Sequence, residues 1–318
     1  MSFVFLELLD ATRRCVLEFS GAKKGEDILI VTHTTSDPEM VRALATAAAE
    51  ADARVTVIYE SMGDSLKPEP PRPVFEAMKG SDLILSFLPG YEPRPMHSRA
   101  VCEVTTDYNS RYMTVYGTRE WWLSSGARGW PTELWFEYGR KLFNRYFKES
   151  RSLRITDPKG TDLSIPPDPY LSVHYAPMGR LTKGQSTWPQ QEAGWHPRGV
   201  GNGVLVLDGL CPFGMLHETI KLTIEDGLVK KAEGGEEAKT WWKMVTSLGG
   251  EITYGEFGIG LNPKNRWALH DPTRTMIEIQ RHSGVTHHGV GMYPLVSSPH
   301  GKIPVHLDGT ILKPTVWW

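Results

Sequence analysis

The sequence is poor in cysteine and has no cysteine pair spaced for metal or redox work. Its 318 residues include three cysteines, Cys15, Cys102 and Cys211, which lie far apart and are odd in number. This usage argues against a disulfide framework and against a C-x-x-C zinc or redox site, and it fits a reducing compartment. A cytoplasmic location is therefore expected.

Long hydrophobic runs are also missing. No stretch approaches the roughly 18 apolar residues of a membrane-spanning helix, so no membrane contact is expected. The N-terminal run lacks a basic start and is interrupted by Glu7 and Asp10, which argues against a secretory signal. The formal net charge of −2 gives no basic excess, so nucleic acid is not an expected partner.

A glycine-rich phosphate loop is missing too, although the N-terminal half has the alternation in which such loops occur. The apolar runs DILIVTH (27–33), ARVTVIYE (53–60) and SDLILSFLPG (81–90) are typical of buried parallel strands. Helical patterns cover 3–19, the segment after Pro38, and 70–80. The loop THTTSDP after the first strand contains no glycine, so a nucleotide site has little support.

The C-terminal half changes character near residue 150. SLRITDPKGTDLSI (152–165) predicts a β-hairpin, and three further segments predict strands with one helix, 236–248, between them. The fold class expected is α/β, with a mostly parallel α/β layer domain over 1–150. A β-rich α+β domain over 151–318 is expected to carry a metal site.

The segment VHLDG near the C-terminus gives the clearest chemical signal. Within a strand, His306 and Asp308 would point to the same face, about 7 Å apart along the backbone. An imidazole and a carboxylate on one face form a common half of a divalent-metal site. By the same alternation, only one of His287 and His288 in THHGVG would turn towards such a site.

Two glutamates in apolar surroundings are further candidates. Glu256 lies between Gly255 and FGIG, a setting in which an unpaired carboxylate is costly. An ion pair with Lys264 or Arg266 is the alternative role for it. Glu192, in WPQQEAGWHP, fits either a site or an exposed loop. The histidines of THHGVG could equally be hydrogen-bonded residues of the core.

Taken together and in order, several segments resemble one superfamily. These are SDPEMVRALATAAAEADARVTVIYE, SLRITDPKGTDLSI, GVLVLDG, GLVKKAEGGEEA and FGIGLNPKNRW. The chain resembles the superfamily that joins metalloaminopeptidases of the aminopeptidase T type to 2,5-dihydroxypyridine 5,6-dioxygenases. The resemblance covers most of the chain and implies a homodimer.

The resemblance to the dioxygenase branch implies a set of iron ligands. His306 and Asp308 match the His-x-Asp that ligates metal in both branches. The third iron ligand of the dioxygenases is a histidine just before a GWGLxPxxxW segment, and the matching residue here is Glu256. The usual two-histidine, one-carboxylate triad would thus become one histidine and two carboxylates.

The peptidase branch implies a larger ligand set. Glu256 matches a glutamate of that branch, Glu192 resembles an earlier glutamate in a Pro-x-x-Glu setting, and His287 matches a histidine in a His-x-x-x-Gly setting. A ligand tyrosine follows that histidine by seven residues in the peptidases. Tyr293 follows His287 by six, so its assignment is left open.

Three hypotheses follow, ordered by ligand type. The first is a metal-dependent hydrolase that cleaves an amide-type bond in a small molecule or short peptide, with Zn, Co or Mn, and with Glu192 or Glu256 as catalytic base. The second is an Fe(II) dioxygenase that opens a hydroxylated N-heterocycle, and the third is a binding protein without catalysis. The carboxylate-rich ligand set puts the hydrolase first.

Overall fold

The structure is a computed structural model that describes residues 3–61, 69–87, 98–124, 128, 132–142, 144, 152–166, 173–175, 181–188, 192–196, 200–265, 276–291, 303 and 305–317. Of 173–175 and 192–196, the backbone is described. By internal contacts the chain forms two units, Met1–Phe136 with Met178–Gln190 (unit 1) and Glu137–Pro177 with Gln191–Trp318 (unit 2). Each unit consists of two separate segments, and the domain boundary near residue 150 stays a prediction.

The helices and strands are numbered here in chain order. The helices are α1 (Phe3–Arg13), α2 (Pro38–Glu50), α3 (Arg72–Lys79), α4 (Arg99–Thr106), α5 (Arg119–Leu123), α6 (Thr132–Leu142), α7 (Glu236–Ser247) and α8 (Met276–Gln280). The strands are β1 (Asp27–His33), β2 (Arg54–Glu60), β3 (Leu83–Phe87), β4 (Arg111–Val115), β5 (Leu153–Thr156), β6 (Asp162–Ile165), β7 (Val173–Tyr175), β8 (Gln185–Trp188), β9 (Glu192–His196), β10 (Asn202–Leu210), β11 (Gly214–Glu225), β12 (Leu228–Glu233), β13 (Tyr254–Gly260), β14 (Thr286–Gly291), β15 (His306–Ile311) and β16 (Thr315–Trp317). None of these helices is long and apolar enough to cross a membrane.

Unit 1 is built on a five-stranded sheet in the order β2-β1-β3-β4-β8, and every pairing in it is parallel. Strand β1 is buried from Ile28 to His33, which fits a strand covered on both faces. The predicted helix over 3–19 is confirmed as α1, but its continuation Arg14–Phe19 is π-helical. The expectation of a parallel α/β layer is therefore confirmed.

The start of α2 gives a first stability prediction. Asp37 caps the helix by accepting hydrogen bonds from the backbone N–H of Glu39 and Met40, and its carboxylate also binds the guanidinium of Arg119. Asp37→Ala should lower the free energy of unfolding by about 1–2 kcal/mol, because two helix N–H groups lose their acceptor. Urea unfolding followed by circular dichroism measures this loss.

Asp37→Asn is the matched control for the cap. Asparagine keeps the capping oxygen but loses the charge that Arg119 binds, so its unfolding midpoint should lie between those of the wild type and Asp37→Ala. Equal midpoints for the two variants would mean that the ion pair, rather than the cap, supplies the stability.

Unit 2 contains an 11-stranded sheet whose main path is β16-β5-β6-β10-β15-β14-β13-β9-β7, with β11 and β12 branching from β10. All described pairings in this sheet are antiparallel. The predicted hairpin over 152–165 is confirmed as β5 and β6. The expected β-rich second half is therefore confirmed, and its central strands β13, β14 and β15 carry the candidate site.

Candidate metal centre

Three neighbouring strands bring the candidate ligands to one face of the sheet. Glu256 on β13 pairs with Gly289 on β14, and Gly289 pairs in turn with Asp308 on β15. Residues directly opposite each other on adjacent strands project to the same face. His306 precedes Asp308 by two residues and shares that face, as the sequence predicted.

A β-bulge at Gly255 sets the direction of Glu256. Tyr254 pairs with Val290 and Glu256 pairs with Gly289, so β13 uses one more residue than β14 at this point. A bulge of this kind breaks the strict alternation of faces. Tyr254 and Glu256, although two apart, therefore project to opposite faces of the sheet.

The side chains of Glu256, His306 and Asp308 form a compact buried group. One possible ligand atom from each lies within 4.8 Å of the others. Nε2 of His306 lies 2.5 Å from Oε2 of Glu256 and 2.9 Å from Oδ1 of Asp308. Oδ1 of Asp308 is buried. Three donor atoms that converge in this way fit a divalent cation.

Gly289 leaves the space that this group needs. A Cβ atom on Gly289 would lie 2.6 Å from Cβ of Glu256 and 2.8 Å from its Oε2, and it would also clash with Cε1 of His306. Any larger residue at this position would therefore displace two of the three candidate ligands.

The adjacent histidines of β14 project to opposite faces, as alternation predicted. His287 lies on the ligand face, with Nε2 3.3 Å from Oε1 of Glu256. His288 lies on the other face, where Nδ1 contacts the hydroxyl of Tyr254 at 3.0 Å and Nε2 contacts Thr286 at 3.1 Å. Burial lowers the pKa of His288 to about 3, so this imidazole is neutral. It therefore lies away from the candidate ligands.

Electrostatics couple His306 to the two carboxylates. Burial alone would lower the pKa of His306, but the negative charges of Glu256 and Asp308 outweigh it and raise that pKa to about 10. Burial opposes ionisation of Asp308 as well, yet its contact with His306 lowers the Asp308 pKa. In the metal-free protein, an imidazolium thus neutralises part of the carboxylate charge.

Metal affinity should consequently depend on pH. A pKa of about 10 keeps His306 protonated at neutral pH, whereas a metal binds the neutral imidazole, so binding must release that proton. The apparent affinity for Mn(II) should therefore rise about tenfold per pH unit between about pH 6 and 8. Chelator competition at several pH values measures this slope, and an affinity independent of pH would contradict the assigned protonation state.

Other predicted site residues are only partly visible. The backbone of Glu192 pairs with Gly260 in the sheet, but its side chain lies outside the described residues. Tyr293 and Arg266 also lie outside them. The structure brings Glu256, His287, His306 and Asp308 together, and the roles of all five predicted site residues stay predictions.

One neighbour of this group could not be predicted from the sequence. Gln280, the last residue of α8, is fully buried, and its side-chain amide donates a hydrogen bond of 3.3 Å to Oδ2 of Asp308. In the sequence it stands in MIEIQRH, where nothing distinguishes it from an ordinary helical glutamine.

Comparison with protein families decides where the chain belongs. The model of NicX, 2,5-dihydroxypyridine 5,6-dioxygenase, matches residues 7–283. The chain belongs to the NicX family. The matched region includes Glu256 and Gln280 and stops before His306 and Asp308. The sequence-based assignment to this superfamily is confirmed, and the chain belongs to a family of enzymes. Comparison with curated proteins finds no match.

Solved structures support the fold of this NicX family member. 2,5-Dihydroxypyridine dioxygenase from Pseudomonas putida KT2440 is 22% identical, with a TM-score of 0.76 over 100% of this chain and 94% of that one. AmpT from Thermus thermophilus is 16% identical, with a TM-score of 0.66 over 98% of this chain and 94% of that one. At these identities the likeness shows a common fold.

Proposed function

We propose that the protein is a metal-dependent dioxygenase that opens a hydroxylated N-heterocyclic ring such as that of 2,5-dihydroxypyridine. The observation that carries the proposal is the buried group of Glu256, His306 and Asp308 in a chain of the NicX family. The ligand types alone favoured hydrolysis. The family match supports ring opening better.

The donor set fits Fe(II). Glu256, His306 and Asp308, which share one face of the sheet, would hold the ion where other non-haem iron enzymes use two histidines and one carboxylate. Here a carboxylate replaces one histidine, which adds negative charge to the donor set and strengthens its attraction for a divalent cation. Bound Fe(II) would supply the one-electron chemistry that allows O₂ to react with an aromatic ring.

The remaining residues would control protons and water. Glu256 is 8%, His306 2% and Asp308 7% exposed, so bulk water is largely excluded from the donor atoms. Nε2 of His287, 3.3 Å from Oε1 of Glu256, is placed to take a proton from a ring hydroxyl or to return one. His287 would thus be a proton carrier rather than a ligand.

A hydrolase is the second candidate because of the geometry of Glu256. Its two oxygens face different imidazoles, Oε2 that of His306 and Oε1 that of His287. A carboxylate held between two imidazoles could bridge two ions, as in two-metal hydrolytic sites with Zn, Co or Mn. The substrate would then be a small amide or short peptide.

One experiment separates the two candidates. Metal-free protein is loaded in turn with Fe(II), Zn(II), Co(II) and Mn(II), and each form is tested for O₂ consumption with 2,5-dihydroxypyridine and for amine release from an amide panel. We expect O₂ consumption with Fe(II) alone. Amine release with Zn(II), Co(II) or Mn(II) and no O₂ consumption with Fe(II) would contradict the dioxygenase proposal. The homodimer that the resemblance implies is tested by light scattering.

A further inference from the structure

The side chain of Gln280 forms a hydrogen bond with Asp308, one of the candidate metal ligands. Its side chain is fully buried, and Nε2 donates to Oδ2 of Asp308 at 3.3 Å. The other oxygen of Asp308, Oδ1, faces Nε2 of His306 at 2.9 Å. One oxygen of this carboxylate therefore faces His306, and the other faces the amide of Gln280.

Charge fixes the orientation of the amide. If it were turned over, Oε1 of Gln280 would face a carboxylate oxygen, and the two acceptors would repel each other. In the observed orientation, no described residue donates a hydrogen bond to Oε1, which is itself buried. Buried amides are usually paired at both ends. Among the described residues, the hydrogen bond to Asp308 is therefore the polar contact that holds the amide of Gln280.

The backbone around Gln280 is tightly packed. A Cβ on Gly260 would clash with the carbonyl oxygens of Gln280 and His282, so the end of β13 packs directly against this turn. Ile279 and Val285, on either side, form a small buried cluster. A side chain on a tightly packed backbone can hold its partner in a defined rotamer.

We propose that Gln280 is a positioning residue that makes Asp308 bind the ion through one oxygen. An aspartate can bind a cation through one oxygen or chelate it through both. With Oδ2 held by the amide, Oδ1 remains as the ligand atom, and one coordination position stays open for substrate. This inference rests on the proposed metal centre but not on the reaction catalysed there.

Cobalt spectroscopy tests the inference without turnover. Metal-free wild type, Gln280→Met and Gln280→Asn are loaded with Co(II), and their visible absorption is recorded. Methionine has a similar volume without the donor, and asparagine withdraws the amide by one methylene. In both variants we expect Asp308 to chelate, so the coordination number rises and the cobalt bands weaken and move to shorter wavelength. Gln185→Met, in unit 1, is the matched control.

Activity and affinity give the second readout. The iron-loaded variants should lose about 10- to 100-fold in kcat/KM, a range usual for groups that orient a ligand, while Co(II) affinity changes less. Near-ultraviolet circular dichroism checks that each variant folds. If Gln280→Met does not fold, Gln280→Asn alone provides the test.

Two outcomes would overturn the role of Gln280. Cobalt spectra of both variants identical to wild type would show that the amide does not orient Asp308. Complete loss of Co(II) binding would show that Gln280 builds the site rather than selecting how Asp308 binds. If the variants shift the cobalt spectrum but the iron-loaded wild type consumes no O₂, the role of Gln280 is supported and the dioxygenase proposal is contradicted.

Discussion

An alanine in place of Gly289 is expected to abolish divalent metal binding while the protein stays folded. The added Cβ would lie 2.6 Å from Cβ of Glu256 and would also overlap Cε1 of His306. Because both side chains must move, the donor atoms no longer converge. Affinity for Mn(II) or Co(II) should fall by more than about 100-fold, beyond the loss caused by a neighbour of a ligand.

A second glycine of the same sheet is the control for this change. A Cβ on Gly255 would meet its nearest atom, the carbonyl oxygen of Gly291, at 3.5 Å, which is ordinary contact. Gly255→Ala should therefore bind metal within a few-fold of wild type. Equilibrium dialysis with metal analysis measures both variants. Full binding by Gly289→Ala would mean that the ion sits elsewhere.

Substitutions of Glu256 are expected to have the second large effect. Glu256→Gln keeps the shape but removes a charge from the group, so Fe(II) affinity should fall by more than about 100-fold. The loss of this carboxylate should also lower the pKa of His306 from about 10, because the charge of Glu256 contributes most to raising it. NMR titration of the metal-free variant follows that pKa.

Glu256→His is the informative partner of this variant. It creates the two-histidine, one-carboxylate set that non-haem iron oxygenases use, so it should retain Fe(II) and O₂ consumption where Glu256→Gln loses both. If Glu256→Gln bound Fe(II) as tightly as wild type, Glu256 would not be a ligand. If Glu256→His lost activity while retaining iron, the second carboxylate would be needed for the chemistry itself.

The fold could be predicted where the signal is local. Apolar runs such as 27–33 and the turn around Gly160 predict strands and a hairpin because burial and turn chemistry act within a few residues. Strand β8 was not predicted, since the half-buried polar segment Gln185–Trp188 becomes a strand by pairing with β4, far earlier in the chain. Pairing at long range leaves no mark in a single sequence.

The site residues could likewise be predicted only where the signal is local. His306 and Asp308 could be placed on one face because simple alternation holds along β15. Glu256 was selected for its apolar neighbours and its family position, but its direction depends on a bulge that alternation cannot foresee. Gln280 was missed because its only signal is a contact made across the fold with Asp308.

The extra residue at Gly255 has a consequence for evolution of this site. Deleting that glycine would place Tyr254 directly before Glu256 in a regular strand, where neighbouring side chains point to opposite faces, so both would keep their present directions. A relative that lacks this glycine would therefore still direct its acid into the site. Relatives should be compared by strand pairing, since a count of residues along β13 would misplace the ligand.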